Sequence, residues 1–96
     1  MILEQALLPV RPGQAEEFLA AFTRARPIIS GMRGCRSVRL SRCVERPSDF
    51  LLLVEWDTLE DHTVGFRGSP EYQQWRALLH HFYDPFPEVL HFTDVP

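Results

Sequence analysis

The sequence predicts one α+β domain over residues 1–96, with a ferredoxin-like, four-stranded antiparallel sheet and helices on one face of it. The first observation is the order of hydrophobic patterns, which is strand, helix, strand, strand, helix, strand. The second is the turn sequence ERPSD at 45–49, which separates two apolar runs closely enough to join them as a hairpin. A length of 96 residues leaves little room for another domain.

The first strand and helix are marked by proline and glycine. The apolar run ILEQALLP at 2–9 predicts a strand that ends at Pro9. Pro12 and Gly13 then open a helix. Its apolar face consists of residues at helical spacing: Phe18, Leu19, Phe22 and Ala25. Pro27 predicts a kink or an end, because proline cannot donate the next hydrogen bond of the helix.

The hairpin strands differ in how much apolar surface they carry. Residues 35–44 alternate, with Val38, Leu40 and Val44 on one face, which is typical of a half-exposed strand. Residues 50–56, FLLLVEW, are apolar on both faces. Since the helices cover one face only, we expect a second copy of the chain to cover the other. The sequence therefore predicts a homodimer.

Capping signals place the remaining helices. Thr58 and Asp61 resemble a capping box at the start of a short helix. Ser69 and Pro70 are a favourable N-cap and first helical residue for a longer helix that reaches about Phe82. The breaker DPFP follows, and EVLHFTDV is predicted as the last strand.

Composition and charge exclude several classes of protein. The net charge of −3 gives no general attraction to nucleic acid, and no apolar run is long enough to cross a membrane. All ten basic residues are arginine, so a catalytic lysine is excluded. Cys35 and Cys43, in one predicted strand, would lie roughly 26 Å apart, too far for a disulfide. We expect free thiols and a cytoplasmic protein.

Three of the four histidines lie near the C-terminus and suggest a metal site: His80, His81 and His91. Neighbouring residues on a helix do not share a face, and no H-x-x-x-H or H-x-H pattern supplies a partner. The apolar side of this helix comprises Tyr72, Trp75, Leu79, Phe82 and Tyr83. His81 falls opposite that side and His80 on its flank. We therefore predict no metal and no function for this pair.

Two other polar residues lie in apolar sectors. Arg76 falls between Tyr72, Leu79 and Tyr83 on the longer helix. His62 shares a side of the short helix with Leu59 and Phe66. Each alone is most simply a partly buried polar residue. Together with Trp56, at the end of the two-faced strand, they predict a single aromatic pocket for a small molecule.

At these residues the sequence resembles the antibiotic biosynthesis monooxygenase family of dimeric α+β barrels. The resemblance spans nearly the whole chain and is clearest in LLLVEWDTLEDHTVGFRGSPEYQQWRALL. In that segment a strand ending in tryptophan leads to a short helix, then to Ser-Pro and a longer helix. The resemblance implies a homodimer and oxidation of small aromatic molecules by dioxygen without a metal, flavin or other cofactor.

The family's site residues carry over by position in the motif. In the polyketide-oxidising branch the tryptophan resembles Trp56, the tyrosine position holds His62, and the arginine resembles Arg76. The asparagine position, four before the tryptophan, holds Leu52. The heme-degrading branch pairs its tryptophan with a histidine ten residues later, where this sequence has Phe66. Heme degradation is therefore disfavoured.

The resemblance implies a role for each of these residues. A phenol or enol loses a proton, and its anion passes an electron to dioxygen. His62 would take the proton and Arg76 would stabilise the anion. The remaining residues would bind the substrate: Trp56, Leu52, Phe66 and Tyr72. The alternative is a non-catalytic dimeric protein that binds a small molecule in the same cavity, which Leu52 favours.

Overall fold

The computed structural model describes residues 1–96 and contains the predicted order of elements. The strands are β1 (Ile2–Pro9), β2 (Cys35–Arg42), β3 (Asp49–Trp56) and β4 (Val89–Phe92). They form one sheet in the order β2-β3-β1-β4, and every neighbouring pair is antiparallel. The predicted ferredoxin-like α+β fold is confirmed.

Four helical segments connect these strands: α1 (Ala15–Ser30), a π-helix (Asp61–Phe66), α2 (Pro70–Leu79) and a 3-10 turn (His80–Phe82). Their buried side chains and those of one sheet face form a single core cluster. Both layers contribute to its largest fully buried members: Trp56, Phe18, Phe50, Phe66, Ile29, Leu79 and Val54. No helix is both long enough and apolar enough to span a bilayer.

Pro27 does not end the first helix, because α1 continues to Ser30, so of the two expected effects only a kink at Pro27 stays a prediction. Proline costs a helix interior about 3 kcal/mol. The last turn compensates in part by burying Ile29 almost completely. In addition, the Pro27 carbonyl accepts the Gly31 amide, and Arg26 donates to the carbonyl of Val38 on β2. Tertiary contacts therefore outweigh the local signal.

The predicted caps at Thr58 and Ser69 are confirmed, but no bond from the Asp61 carboxylate completes the capping box. The short helix also has a different winding. Thr58 Oγ1 accepts the amide of Asp61 at 3.1 Å, and Ser69 Oγ accepts the amide of Tyr72 at 3.1 Å. Between these caps the chain forms the π-helix, in which the Arg67 amide donates to the His62 carbonyl five residues earlier at 3.0 Å. A π turn is wider than an α turn and occurs often at functional sites.

Two strand ends and one helix end fall earlier than predicted. β2 ends at Arg42, and Val44 is exposed in the hairpin turn instead of continuing the strand face. β4 has four residues because only Leu3 to Ala6 of β1 pair with it. α2 ends at Leu79, and the chain tightens into the 3-10 turn before Phe82.

The sheet face opposite the helices is open and largely apolar. Alternation along the strands directs six large apolar side chains to it: Leu3, Leu7, Leu51, Leu53, Leu90 and Phe92. Leu7 is 49% exposed and Phe92 43% exposed. Polar residues of β2, including Arg39, lie on the same face. This is the face that the sequence assigns to a second copy of the chain.

Candidate active site

A cavity of about 390 Å³ lies between the helices and the core face of the sheet. Glu4, Ala6 and Leu8 of β1 line its floor, since every second residue of a strand projects to the same side. These three residues extend over roughly 13 Å at about 3.3 Å per residue. Aromatic side chains form much of its wall: Phe66, Tyr72, Trp75, Tyr83 and Phe86. The volume lies in the range of small-molecule sites.

One end of the cavity floor is polar, because a buried carboxylate interrupts the apolar face of β1. Glu4 is only 4% exposed. Its Oε1 accepts a hydrogen bond of 2.9 Å from Trp56 Nε1 and lies 3.4 Å from His62 Nε2. The other ring nitrogen of His62, Nδ1, lies 2.7 Å from His91 Nε2. We call Glu4, Trp56, His62 and His91 the Glu4 cluster.

Strand pairing and the π-helix bring the cluster together. Glu4 and His91 are direct partners across β1 and β4, so their side chains project to the same face. Trp56 comes from the end of β3, where its partner is Ile2, two residues before Glu4. His62, in the first turn of the π-helix, stacks on Trp56 with 5.2 Å between ring centroids and 15° between planes.

Burial sets the charge of these groups. It lowers the pKa of His62 to about 3, and the charges of Arg67 and His91 act in the same direction. Burial also lowers the pKa of His91, again assisted by Arg67. In Glu4, burial raises the pKa, while the Trp56 hydrogen bond and the Arg67 charge oppose that rise. The 3.4 Å contact has the distance of an ion pair, but at neutral pH His62, being 3% exposed, is uncharged.

The second carboxylate oxygen of Glu4 is open to the cavity. Every side-chain nitrogen or oxygen atom that is shielded from solvent has a hydrogen-bond partner in this structure. Oε2 of Glu4 has no such partner, since the Trp56 bond goes to Oε1, so Oε2 is not among the shielded atoms. Oε2 is therefore accessible, and Glu4 lines the cavity. A hydrogen-bond donor of a bound molecule can reach this atom.

The structure confirms the cavity position of four predicted residues: Leu52, His62, Phe66 and Tyr72. The expectation that Trp56 forms a cavity wall is wrong. Trp56 is fully buried behind Glu4 and does not line the cavity. It lies at the site as a hydrogen-bond donor to the carboxylate, a role that the sequence pattern does not reveal.

The inward direction expected for Arg76 is also wrong. Its side chain is exposed in a shallow groove on the outer side of α2, with Gln73 and His81. The sequence prediction continues one helix to Tyr83 and so counts Phe82 and Tyr83 as part of its apolar side. With these two residues included, the predicted apolar side extends past Arg76. These two residues follow the end of α2, so they do not continue its 100° steps.

Four charged or histidine residues of the cavity or cluster escape the sequence reasoning: Glu4, Arg67, His80 and His91. The sequence does contain one signal for this site: Glu4 is a charged residue at a core-facing position of the strand β1. His80, expected to have no function, lines the cavity, and its ring lies 5.9 Å from that of Tyr72. His81 is exposed as expected. No group of three or more histidine, cysteine or acidic side chains is arranged to hold a metal ion.

Comparisons with known proteins agree with the α+β fold described above. The chain superposes on the structure of a proposed antibiotic biosynthesis monooxygenase from Bordetella bronchiseptica with a TM-score of 0.92 and 38% identity, covering 99% of this chain and 97% of that one. SnoaB, a cofactor-independent oxygenase from Streptomyces nogalater solved in a mutant form, gives a TM-score of 0.83 at 16% identity, with 97% and 91% covered. That second likeness concerns the fold alone.

Sequence comparison identifies the family. The uncharacterized protein YczJ of Bacillus subtilis (strain 168) is 59% identical over 95 residues, which is 99% of this chain and 100% of that protein. The sequence model of the antibiotic biosynthesis monooxygenase family matches residues 1–78. The chain belongs to the antibiotic biosynthesis monooxygenase family.

Proposed function

We propose that the chain is a cofactor-independent monooxygenase that oxidises a small phenol-, quinol- or anthrone-like molecule with dioxygen in the cavity described above. The observation that carries the proposal is the open Oε2 of Glu4 in a cavity with aromatic walls. Membership of the family and the fold shared with SnoaB, a cofactor-independent oxygenase, support the reaction class.

The cavity walls favour a flat ligand. Phe66 meets Tyr72 edge-on at 5.3 Å and Trp75 edge-on at 5.8 Å, so these rings hold one another in place. Leu52 and Ala6 leave the floor apolar beside Glu4. A planar ring system can lie along this floor with one hydroxyl at the carboxylate end.

The reaction needs a proton acceptor and a positive charge, but no further cofactor. A substrate carbon or hydroxyl group gives up a proton, and the anion passes one electron to dioxygen. The two radicals combine to a peroxide, which takes up a proton and collapses to a carbonyl and water. Proton transfer of this kind contributes about 10²–10⁴ in rate. Arg67, which lines the cavity beside the Glu4 cluster, supplies the positive charge in place of Arg76.

A non-catalytic dimeric binding protein is the alternative function. Leu52, at the family's asparagine position, lines the cavity and offers no hydrogen bond to a peroxide. The two functions differ in turnover, not in ligand binding. The replacement Leu52→Asn separates them further, because an added amide increases oxygen consumption only if the chain is an oxygenase.

We also propose that two copies of the chain associate through their open sheet faces, as the family resemblance implies. The six large apolar side chains of that face are the supporting observation. Contiguous exposed apolar surface of this kind marks interaction sites in soluble proteins. In such a dimer each cavity stays on the helical side of its own sheet.

The test of the enzymatic function is oxygen uptake with a panel of anthrones, hydroquinones and catechols. The protein is dialysed and assayed for metal and flavin before use. We expect consumption above the buffer rate, a strong loss in Arg67→Ala and full activity in Arg76→Ala, whose side chain lies outside the cavity. Absence of uptake with every compound, or equal activity of all three proteins, would contradict the proposal. Binding without uptake would favour the alternative.

A further inference from the structure

We propose that Glu4 accepts the proton of the bound molecule through Oε2, and that His62 and His91 relay it to the edge of the sheet. This inference rests on the proposed function, because it assigns the proton acceptor and the proton exit of the same site. Its basis is the path of the Glu4 cluster, which leads from the cavity floor to an edge strand.

Glu4 is the member of the cluster with an atom available to a ligand. Its Oε1 is held by Trp56, while Oε2 is accessible from the cavity. Both ring nitrogens of His62 already face other groups of the cluster, so His62 has none left for a ligand. A ligand hydroxyl therefore meets the Glu4 carboxylate first, and His62 acts through it.

The two histidines connect this interior carboxylate with the surface. His62 is enclosed, and its two ring nitrogens contact Glu4 on one side of the ring and His91 on the other. His91 is only half-buried and lies in β4, the strand at the edge of the sheet. The His62–His91 distance of 2.7 Å is short for a hydrogen bond, and the 3.4 Å step to Glu4 is of a length that often tightens when a ligand binds.

Proton transfer along this path conserves protons. The ligand protonates Oε2, and rotation about the Cγ–Cδ bond of Glu4 turns the new O–H toward His62. His62 Nε2 takes that proton while its Nδ1 proton passes to His91 Nε2, and His91 releases its own Nδ1 proton to water. Glu4 is again a carboxylate, and both rings are neutral with exchanged tautomers. The peroxide later requires one proton, so the reverse transfer restores the starting tautomers.

The charge of Arg67 stabilises the anion that the ligand leaves behind, although it also lowers the pKa of the acceptor Glu4. Arg67 is the cation whose charge acts on Glu4, His62 and His91 alike. Cys35 of β2 also faces Glu4, and burial together with the Glu4 charge raises its pKa to about 11, so it stays protonated. The protonated Cys35 thiol cannot accept the ligand proton, and burial together with the Arg76 charge lowers the pKa of His80, which makes it a weaker base.

The relay can be tested without oxygen turnover, using 4-nitrophenol, whose phenolate absorbs visible light. At a pH just below the pKa of the free probe, binding to the wild-type protein should produce the phenolate band. Glu4→Gln keeps the size of the side chain and an acceptor for Trp56, but it cannot take the proton. We expect it to bind the probe within about threefold of the wild-type affinity and to form the phenolate at least about tenfold more slowly.

The exit through His91 is tested by the rate of the same signal in a stopped-flow experiment. His91→Phe should form the phenolate about tenfold more slowly with unchanged final amplitude, and added imidazole should restore the rate. His91→Gln serves as a second variant if the phenylalanine disturbs folding. The exposed His81→Phe is the matched control and should leave rate and amplitude unchanged.

Each outcome separates the relay from the proposed oxygenase activity. Phenolate formation at the wild-type rate in Glu4→Gln overturns the assignment of the acceptor, and an unchanged rate in both His91 variants overturns the exit. A probe that does not bind contradicts the proton acceptor but not the oxygenase, which the oxygen-uptake panel tests separately. Phenolate formation that depends on Glu4, in a protein that consumes no oxygen, supports the proton acceptor and contradicts the oxygenase.

Discussion

The helix–sheet interface has two halves that are built differently. Around α1, the ring of Phe18 packs against four others at centroid distances of 5.0–6.0 Å: Phe22, Phe50, Phe82 and Tyr83. Around the π-helix and the start of α2, the same sheet face carries the cavity, with Ala6 and Glu4 on the β1 floor. One half is filled by apolar side chains, and the other leaves a space and buries a carboxylate.

The difference shows how a chain of only 96 residues can stay folded while it contains a ligand cavity and a buried carboxylate. Burying Glu4 and leaving a cavity of about 390 Å³ both reduce the free energy of unfolding. The filled half offsets that cost, because its aromatic rings exclude water almost completely. We therefore expect substitutions in the filled half to reduce mainly stability, and substitutions in the cavity half to reduce mainly ligand binding and activity.

The largest expected effect is on the filled half. Phe18→Ala should lower the free energy of unfolding by about 3–5 kcal/mol, because it opens a new cavity in a closely packed cluster. Tyr72→Ala enlarges a space that already exists and should cost only about 1–2 kcal/mol while weakening ligand binding. Urea denaturation of both variants measures the difference. Equal losses would show that the two halves do not differ in packing.

Neighbouring leucines of β3 extend the comparison to the open face of the sheet. Leu52 lines the cavity, whereas Leu53 points to the face that we assign to a second copy. Leu53→Asp buries an unpaired charge in that interface and should cost about 3 kcal/mol or more of association. Sedimentation velocity should show a wild-type dimer at micromolar concentration and a monomeric or unfolded variant. A stable wild-type monomer would contradict the interface.

Acid should weaken the cavity half selectively. His62 has an ordinary pKa of 6.5 when unfolded and about 3 when folded, so the unfolded chain binds more protons between these values. Stability should therefore fall as the pH drops from about 6.5 toward 3, by at most about 1.4 kcal/mol per pH unit from this residue. Glu4, whose pKa is raised, acts oppositely: it favours folding below pH 4.5 and loses that contribution as the pH rises through its folded value. Denaturation of His62→Gln from about pH 4 to 7 should show a flatter profile than the wild type.

The smallest expected effect lies outside both halves. His81 is exposed in the 3-10 turn after α2 and belongs to neither the cavity nor the Glu4 cluster. His81→Ala should change the free energy of unfolding by less than about 0.5 kcal/mol. His80→Ala, one residue earlier, removes a cavity wall and should weaken ligand binding. Comparing the two dissociation constants tests whether the cavity boundary runs between these neighbours.

Local signals predict the architecture well, because they depend on residues close together in the chain. The caps at Thr58 and Ser69 form the expected hydrogen bonds, and the order of elements follows from hydrophobic periodicity. Pro27 is the exception, where burial of Ile29 and contacts with β2 outweigh a strong local signal. Such tertiary compensation is invisible in the sequence.

The site is less predictable because it depends on strand register and on helix phase. Glu4 and His91 are 87 positions apart and meet only through the pairing of β1 with β4. Periodicity assigns a face to each residue but does not say which strands are neighbours. Arg76 fails for a different reason, since the change from α2 to the 3-10 turn alters the angular position of every later residue.

The winding of the π-helix has a consequence for how such a site can be gained or lost. A π turn is equivalent to an α turn that contains one additional residue, and here the bond from the Arg67 amide to the His62 carbonyl closes it. Val64, in the middle of this turn, is exposed and contributes nothing to the cavity. Removing one such residue would restore the α spacing and change the angle between His62 and Phe66 around the helix axis. We therefore expect a deletion of a single codon to shift His62 relative to Glu4 while the caps at both ends remain.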